Sequence, residues 1–185
     1  KLDRELADLT IIADQRIDDM QRRIDDTAVS MIARRQPMAS DLRAIITAIH
    51  VASDLERVGD MAKQLARRAL KLEDMSLQPT FYNGVKNMTA LVLRQIKESL
   101  DAYSNRDSAA AIEVCNRDDE VDAMHTSLFR ELLTYMMEDP RNISFCTHLL
   151  FCAKSLERVG DHATNIAERA YYLQTGKQLT ADVQE

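Results

Sequence analysis

Leu55-Glu56-Arg57-Val58-Gly59-Asp60 and Leu156-Glu157-Arg158-Val159-Gly160-Asp161 are the same six residues, set 101 positions apart in a chain of 185. A six-residue identity is too long for chance in a chain of this size, so the sequence contains an internal repeat. Each copy lies deep inside a run of helical period, where carboxylates at i and i+4 share one face. Two features of the hexapeptide work against a helix. Like charges at that spacing cost roughly 0.2 to 0.5 kcal/mol, and an interior glycine costs about 1 kcal/mol relative to alanine. Something outside the helix must offset both. Gly59 and Gly160 are expected to admit a neighbouring helix or a ligand close to the backbone. The pairs Glu56/Asp60 and Glu157/Asp161 call for a cation, either a bound metal or the arginine between them, Arg57 or Arg158.

Outward from the hexapeptides the helical pattern covers nearly the whole chain. The first stretch, Leu2 to about Arg35, has a stripe at Leu6, Ala13, Ile17, Met20, Ile24, Ala28 and Met31. It breaks at Gln36-Pro37-Met38-Ala39. Ser40-Asp41 reads as the cap of a second helix reaching about Glu73, seamed by Ala48, Val51, Leu55, Val58, Ala62, Leu65, Ala69 and Leu72. A turn containing Pro79 closes that pair. Tyr82, Val85, Thr89, Val92, Ile96 and Tyr103 mark the next helix, which ends near Asn105-Arg106-Asp107-Ser108. One helix is expected from Ala109 to about Glu138, stopped by Asp139-Pro140. The last runs from about Asn142 to Gln174, with Gly176 as its C-cap. Its seam at Leu149, Cys152, Leu156, Val159, Ala163, Ile166, Ala170 and Leu173 repeats the Ala48 to Leu72 series at the same offset.

The expected fold is therefore all-α, in two tandem, pseudo-symmetric three-helix bundles, at residues 1–75 and 80–176. The first bundle has only two helices where the second has three. Its apolar stripe is left for a partner chain or for further residues to cover. Lys1-Leu2-Asp3 is already in helical pattern, with no initiator Met and no capping sequence ahead of it, so the natural start is expected upstream.

Composition agrees. Four Gly and three Pro in 185 residues, with 45% hydrophobic content, fit a helical globule with a real core. A net charge of -6 leaves no basic face for an extended nucleic-acid footprint. Cys115, Cys146 and Cys152 form no Cys-x-x-Cys pair and read as small buried residues in a reducing compartment. No apolar run reaches the length of a membrane span and no secretory segment opens the chain, so a cytoplasmic location is expected.

With Leu156 and Val159 at seam positions a and d, Glu157 falls at b and Asp161 at f, facing away from the core, as do Glu56 and Asp60. A charged, solvated face is the ordinary reading of such positions, but packing gives them little reason to stay identical in two halves that otherwise differ widely. A functional surface accounts for the identity better. A second pair lies on each preceding helix, Asp14/Asp18 and Asp118/Asp122. Each half thus offers four carboxylates from two helices, an oxygen-only set suited to hard or borderline cations such as Mg²⁺, Mn²⁺, Ca²⁺ or iron. Zn²⁺ stays open, although the closed Cys/His set of a structural zinc site is lacking. Asn165, one turn beyond Asp161, extends the second cluster with a neutral ligand, where the first half has Gln64. Histidines add little. His125 has no counterpart in the first half, His162 points about 100° away from Asp161, His148 with Cys152 reads as core, and His50 has no visible partner.

The two hexapeptide helices, Ala33-Arg34-Arg35-Gln36-Pro37-Met38-Ala39-Ser40-Asp41-Leu42-Arg43, and Leu132-Leu133-Thr134-Tyr135-Met136-Met137-Glu138-Asp139 together resemble the PhoU family of phosphate-signalling proteins. The resemblance runs over essentially the whole chain apart from the family's opening helix. It implies surface metal clusters on the Glu/Asp-x-x-x-Asp motifs, here Asp14, Asp18, Glu56 and Asp60, and Asp118, Asp122, Glu157 and Asp161. It also implies a non-enzymatic, dimeric negative regulator of the phosphate-starvation response and of phosphate uptake. Such a protein would link the ATPase subunit of a phosphate ABC transporter to the sensor histidine kinase of the phosphate regulon, reaching the membrane through partners only. Two other readings stand beside it: a carboxylate-bridged metalloenzyme of ferritin-like type, and a metal-free helical scaffold.

Overall fold

A computed structural model describes residues 3–73 and 82–179 of the chain; the turn expected around Pro79 and the Lys1-Leu2 start lie outside them. The described elements are α1 (Arg4–Arg35), α2 (Ser40–Glu73), α3 (Asn83–Asn105), α4 (Ser108–Cys115), α5 (Asp118–Glu138), a short 3-10 turn (Pro140–Asn142) and α6 (Ile143–Thr175). The fold is all-α, as the periodicity requires.

Local chemistry sets the boundaries. Asp3, read from sequence as part of the helical pattern, is the N-cap of α1, and its side chain accepts from the Leu6 amide at 3.1 Å. Gln36 ends α1 in the left-handed conformation at φ 47°, and Pro37 follows, unable to continue the helix. Ser40 is the first residue of α2 rather than its cap, because Ala39 already holds the turn at φ 47° and accepts from the Arg43 amide. Asp107 caps α4 by accepting from the amides of Ala109 and Ala110, both at 3.0 Å. Gly176 closes α6 at φ 73°, where a residue with a Cβ would be strained.

The single helix expected from Ala109 to Glu138 is two, broken at Asn116-Arg117. Arg117 leaves the helical region at ψ 7° and its amide bonds the Val114 carbonyl, a tightened turn. The run Asp118-Asp119-Glu120 then opens α5. Three carboxylates in a first turn favour the positive end of a new helix dipole over the middle of an old one.

α6 is the axis of the molecule. It packs against α3, α4 and α5 on one side and along α2 on another, and α1 packs on α2. The main core joins Met61 and Leu72 of α2 to Met88 and Val92 of α3, Val121, Leu128 and Leu132 of α5, and Leu149, Leu156 and Val159 of α6. A smaller cluster around Ala102, Ala111, Val114, Ala167 and Tyr171 fills the α3–α4–α6 end.

The two halves are not equally closed. Every position of the α6 seam except Leu173 is buried, whereas on α1 only Ala7, Asp14 and Ala28 are. The larger apolar residues of α1 stand out in the open, including Leu6, Ile12, Met20 and Val29, with Leu42 and Ile46 of α2 beside them. The α1 stripe predicted from periodicity is thus largely uncovered, as two helices in place of three dictate. Among the described residues no helix is long and apolar enough to cross a membrane.

Candidate functional site

The two interior glycines explain themselves first. A Cβ on Gly59 would lie 3.0 Å from Ile17 Cδ1 of α1, and one on Gly160 would lie 3.2 Å from Val121 Cγ1 of α5. Each glycine therefore admits the apolar residue that sits between the two aspartates of the neighbouring helix, Asp14/Asp18 or Asp118/Asp122. This close approach sets the carboxylates of paired helices beside one another.

Their exposure is uneven: Asp161 is exposed, as its heptad letter suggests, and so is Asp122, whereas three others are covered. The side chains of Glu56 and Glu157 are only 22% and 16% exposed, and Asp14 is 4% exposed. The reason is the glycine itself. With the helices drawn together, positions flanking the contact are covered by the neighbouring helix.

In the second half, Asp118 Oδ1 accepts from the Thr164 hydroxyl at 2.8 Å. Gln95 of α3 donates to Thr164 Oγ1 at 3.0 Å and reaches Asp118 Oδ1 at 3.5 Å. Gln95 is buried, and its Oε1 has no hydrogen-bond partner. Asp161 is exposed at the surface, but partial desolvation raises its carboxyl above the ordinary range, and the nearby charges of Glu157, Asp118 and Asp122 push it the same way. Lys154 pairs with Glu157 at the edge and opposes that shift. Asn165 does not turn to the cluster. Its Nδ2 lies 3.5 Å from Asp54 Oδ1 of α2, as does His162 Nδ1 at 2.9 Å. Those contacts tie α6 to α2, and the expectation of Asn165 as a metal ligand gains no support from its position.

In the first half the surroundings are cationic. The Lys63 ammonium donates to Asp14 Oδ2, and Asp14 Oδ1 has no hydrogen-bond partner. The Asp14 carboxylate, through that bond, holds the Lys63 ammonium above its ordinary range. Arg57 lies 3.4 Å from Glu56 Oε2 and 3.7 Å from Asp60 Oδ2, so the arginine between the first pair does compensate it. Arg158 makes no such pair with Asp161 among the described residues.

Among the described residues no three Asp, Glu, His or Cys side chains close around a point where an ion could sit. The donor chemistry of the second cluster still fits a hard cation that keeps part of its water shell and takes one or two carboxylates. The three like charges gathered about Asp161 and the orphaned Gln95 oxygen favour one there. The first cluster does not fit, because an ammonium already lies on Asp14.

Sequence reading missed Lys63, Thr164 and Gln95. The first two carried a signal, since they are the same repeat position with different residues. Gln95 carried none beyond being a polar residue between Val92 and Ile96. The histidines fall largely as expected: His50 is exposed and His148 partly buried. All three cysteines are buried and free. Burial pushes the Cys115 thiol up to about 12 and the Cys152 thiol up to about 11, which leaves both unreactive near neutrality.

An all-α protein of two unequal repeats, each setting an acidic helix face against a neighbour through one glycine, is the class this geometry defines. The chain belongs to the PhoU family, whose PhoU domain matches residues 1–69 and 85–170. It is 53% identical to the phosphate-specific transport system accessory protein PhoU homolog of Rhizobium meliloti, over 95% of this chain and 74% of that protein. It is 48% identical to the protein of the same name from Caulobacter vibrioides, over 97% and 78%. The crystal structure of PhoU from Pseudomonas aeruginosa superposes with a TM-score of 0.92 at 43% identity, covering 95% of this chain and 84% of that one. The phosphate transport system regulatory protein PhoU from Streptococcus pneumoniae gives 0.85 at 31% identity, covering 96% and 83%.

Proposed function

We propose that the chain is a negative regulator of the phosphate-starvation response and of phosphate uptake. It acts as a helical adaptor between the ATPase subunit of a phosphate ABC transporter and the sensor histidine kinase of the phosphate regulon. The observation that carries this reading is the match, over 95% and 97% of this chain and 74% and 78% of theirs, to relatives named as accessory proteins of the phosphate-specific transport system. The fold lends support, because long helices with partly uncovered apolar faces offer docking surface and the buried thiols offer no nucleophile. Association of two chains through the open face of α1 and α2 belongs to the same reading. The second acidic cluster, Asp118, Asp122, Glu157 and Asp161, is the place for a divalent or iron-type ion.

Deleting the gene and following a phosphate-regulated promoter in phosphate-replete medium tests the proposal. Derepression that the wild-type gene reverses is expected, together with capture of the transporter ATPase and the kinase by the tagged protein. Unchanged expression would overturn the regulatory reading. A metal-free scaffold is the second reading, favoured by the lack of three converging ligands among the described residues. Metal analysis of protein purified without chelator, compared with Asp60→Ala/Asp161→Ala, separates the two. Equal metal content in both proteins would select the scaffold.

A further inference from the structure

We infer that the Lys63 ammonium is the resident cation of the first acidic cluster and closes that cluster to divalent metal, leaving a metal site in the second repeat only. The inference rests on the metal-binding reading of the second cluster given above. It grows from one exchange at one repeat position. Lys63 and Thr164 lie 101 residues apart, each three residues after the last residue of its hexapeptide, and each reaches the first aspartate of the neighbouring helix.

What the two side chains bring is different in kind. Thr164 gives Asp118 a neutral hydroxyl, itself held by the Gln95 amide, so the carboxylate keeps its charge uncompensated. Lys63 gives Asp14 a full positive charge. Asp14 is buried, so it has little water with which to trade that partner. Arg57 adds a second cation across Glu56 and Asp60. In the first repeat Asp14, Glu56 and Asp60 therefore face two cations, whereas among the described residues the second cluster pairs with Lys154 at the Glu157 edge.

A divalent ion entering the first cluster would have to expel a tethered ammonium that needs no translational entropy to return. Tethering of this kind acts as an effective concentration in the millimolar range or above. An ion that left Lys63 in place would sit beside a like charge at the least solvated carboxylate of the group. Either route weakens binding at the first cluster by at least about tenfold relative to the same carboxylates without the lysine.

Titration of the full chain with Mn²⁺ alone, followed through the electron paramagnetic resonance of the free ion, tests this. The wild type is expected to take up one Mn²⁺ per chain. Lys63→Thr, which copies the second repeat, is expected to take up two, and Thr164→Lys, which copies the first, none. Circular dichroism checks that each variant is folded. Two ions bound by the wild type would overturn the inference. So would a folded Lys63→Thr with the wild-type stoichiometry. Where Lys63→Thr fails to fold, Thr164→Lys decides: retained Mn²⁺ binding refutes the closing role of the lysine, and lost binding supports it. No ion in the wild type but one in Lys63→Thr would uphold the resident lysine while removing the second-cluster reading. No binding in any folded protein would remove both.

Discussion

The two repeats share a hexapeptide letter for letter and share the packing device it encodes, yet they differ in closure and in charge. In the second, α6 is buried along its seam and the acidic face meets the neutral Thr164 at Asp118, with one cation, Lys154, at its Glu157 edge. In the first, α1 and α2 leave large apolar residues uncovered and the acidic face is met by Lys63 and Arg57. The repeat fixes how two helices approach one another. What the shared carboxylates then do depends on the residues that changed around them.

Stability should expose the difference in closure most strongly. Leu132→Ala, at a position with no exposure, is expected to cost about 4 kcal/mol in urea unfolding. Ile12→Ala, on the open face of α1 where the side chain is 69% exposed, should change monomer stability by less than about 0.5 kcal/mol. A large loss at Ile12 would show that a second copy covers this face. The glycines give a finer comparison. Alanine gains about 1 kcal/mol of helix propensity at either site. Gly59→Ala meets the flexible end of Ile17, while Gly160→Ala meets the stiff, β-branched Val121 and the buried Gln95 oxygen. Gly160→Ala is therefore expected to be the less stable variant by about 1 kcal/mol.

The charge difference predicts a pH effect. Asp161 binds its proton more tightly when folded than in the unfolded chain, where the ordinary value is 3.8. Its contribution is therefore most favourable below that value. It declines as pH rises from there to the folded value and stays unfavourable at neutral pH. In metal-free protein Asp161→Asn should raise the melting temperature at pH 7, and the gain should vanish as the pH falls below the carboxyl range. A lower melting temperature at pH 7 would contradict the crowding of like charges. Smallest of all, Arg57→Ala should alter stability by less than about 0.5 kcal/mol, because its side chain is 55% exposed.

Much of this was legible in the sequence. Helix breaks at Gln36-Pro37, Asp107 and Asp139-Pro140 carry their own chemistry, so they can be read locally. The interior glycines implied a close approach, and Ile17 and Val121 supply it. The split at Asn116-Arg117 was hidden because the apolar period continues across it from Val114 to Val121. The covering of Glu56 and Glu157 was hidden for a different reason. Heptad letters describe a helix against one core, whereas α2 and α6 each have neighbours on more than one side. Asp14 stayed obscure because its partner, Lys63, comes from another helix.

Anomalous scattering from crystals grown with Mn²⁺ tests the asymmetry most directly, since it locates the ion instead of counting it. A peak is expected beside Asp118, Asp122, Glu157 and Asp161 in each chain, and none beside Asp14 and Lys63. Equal peaks at both clusters, or one beside Lys63 alone, would contradict it.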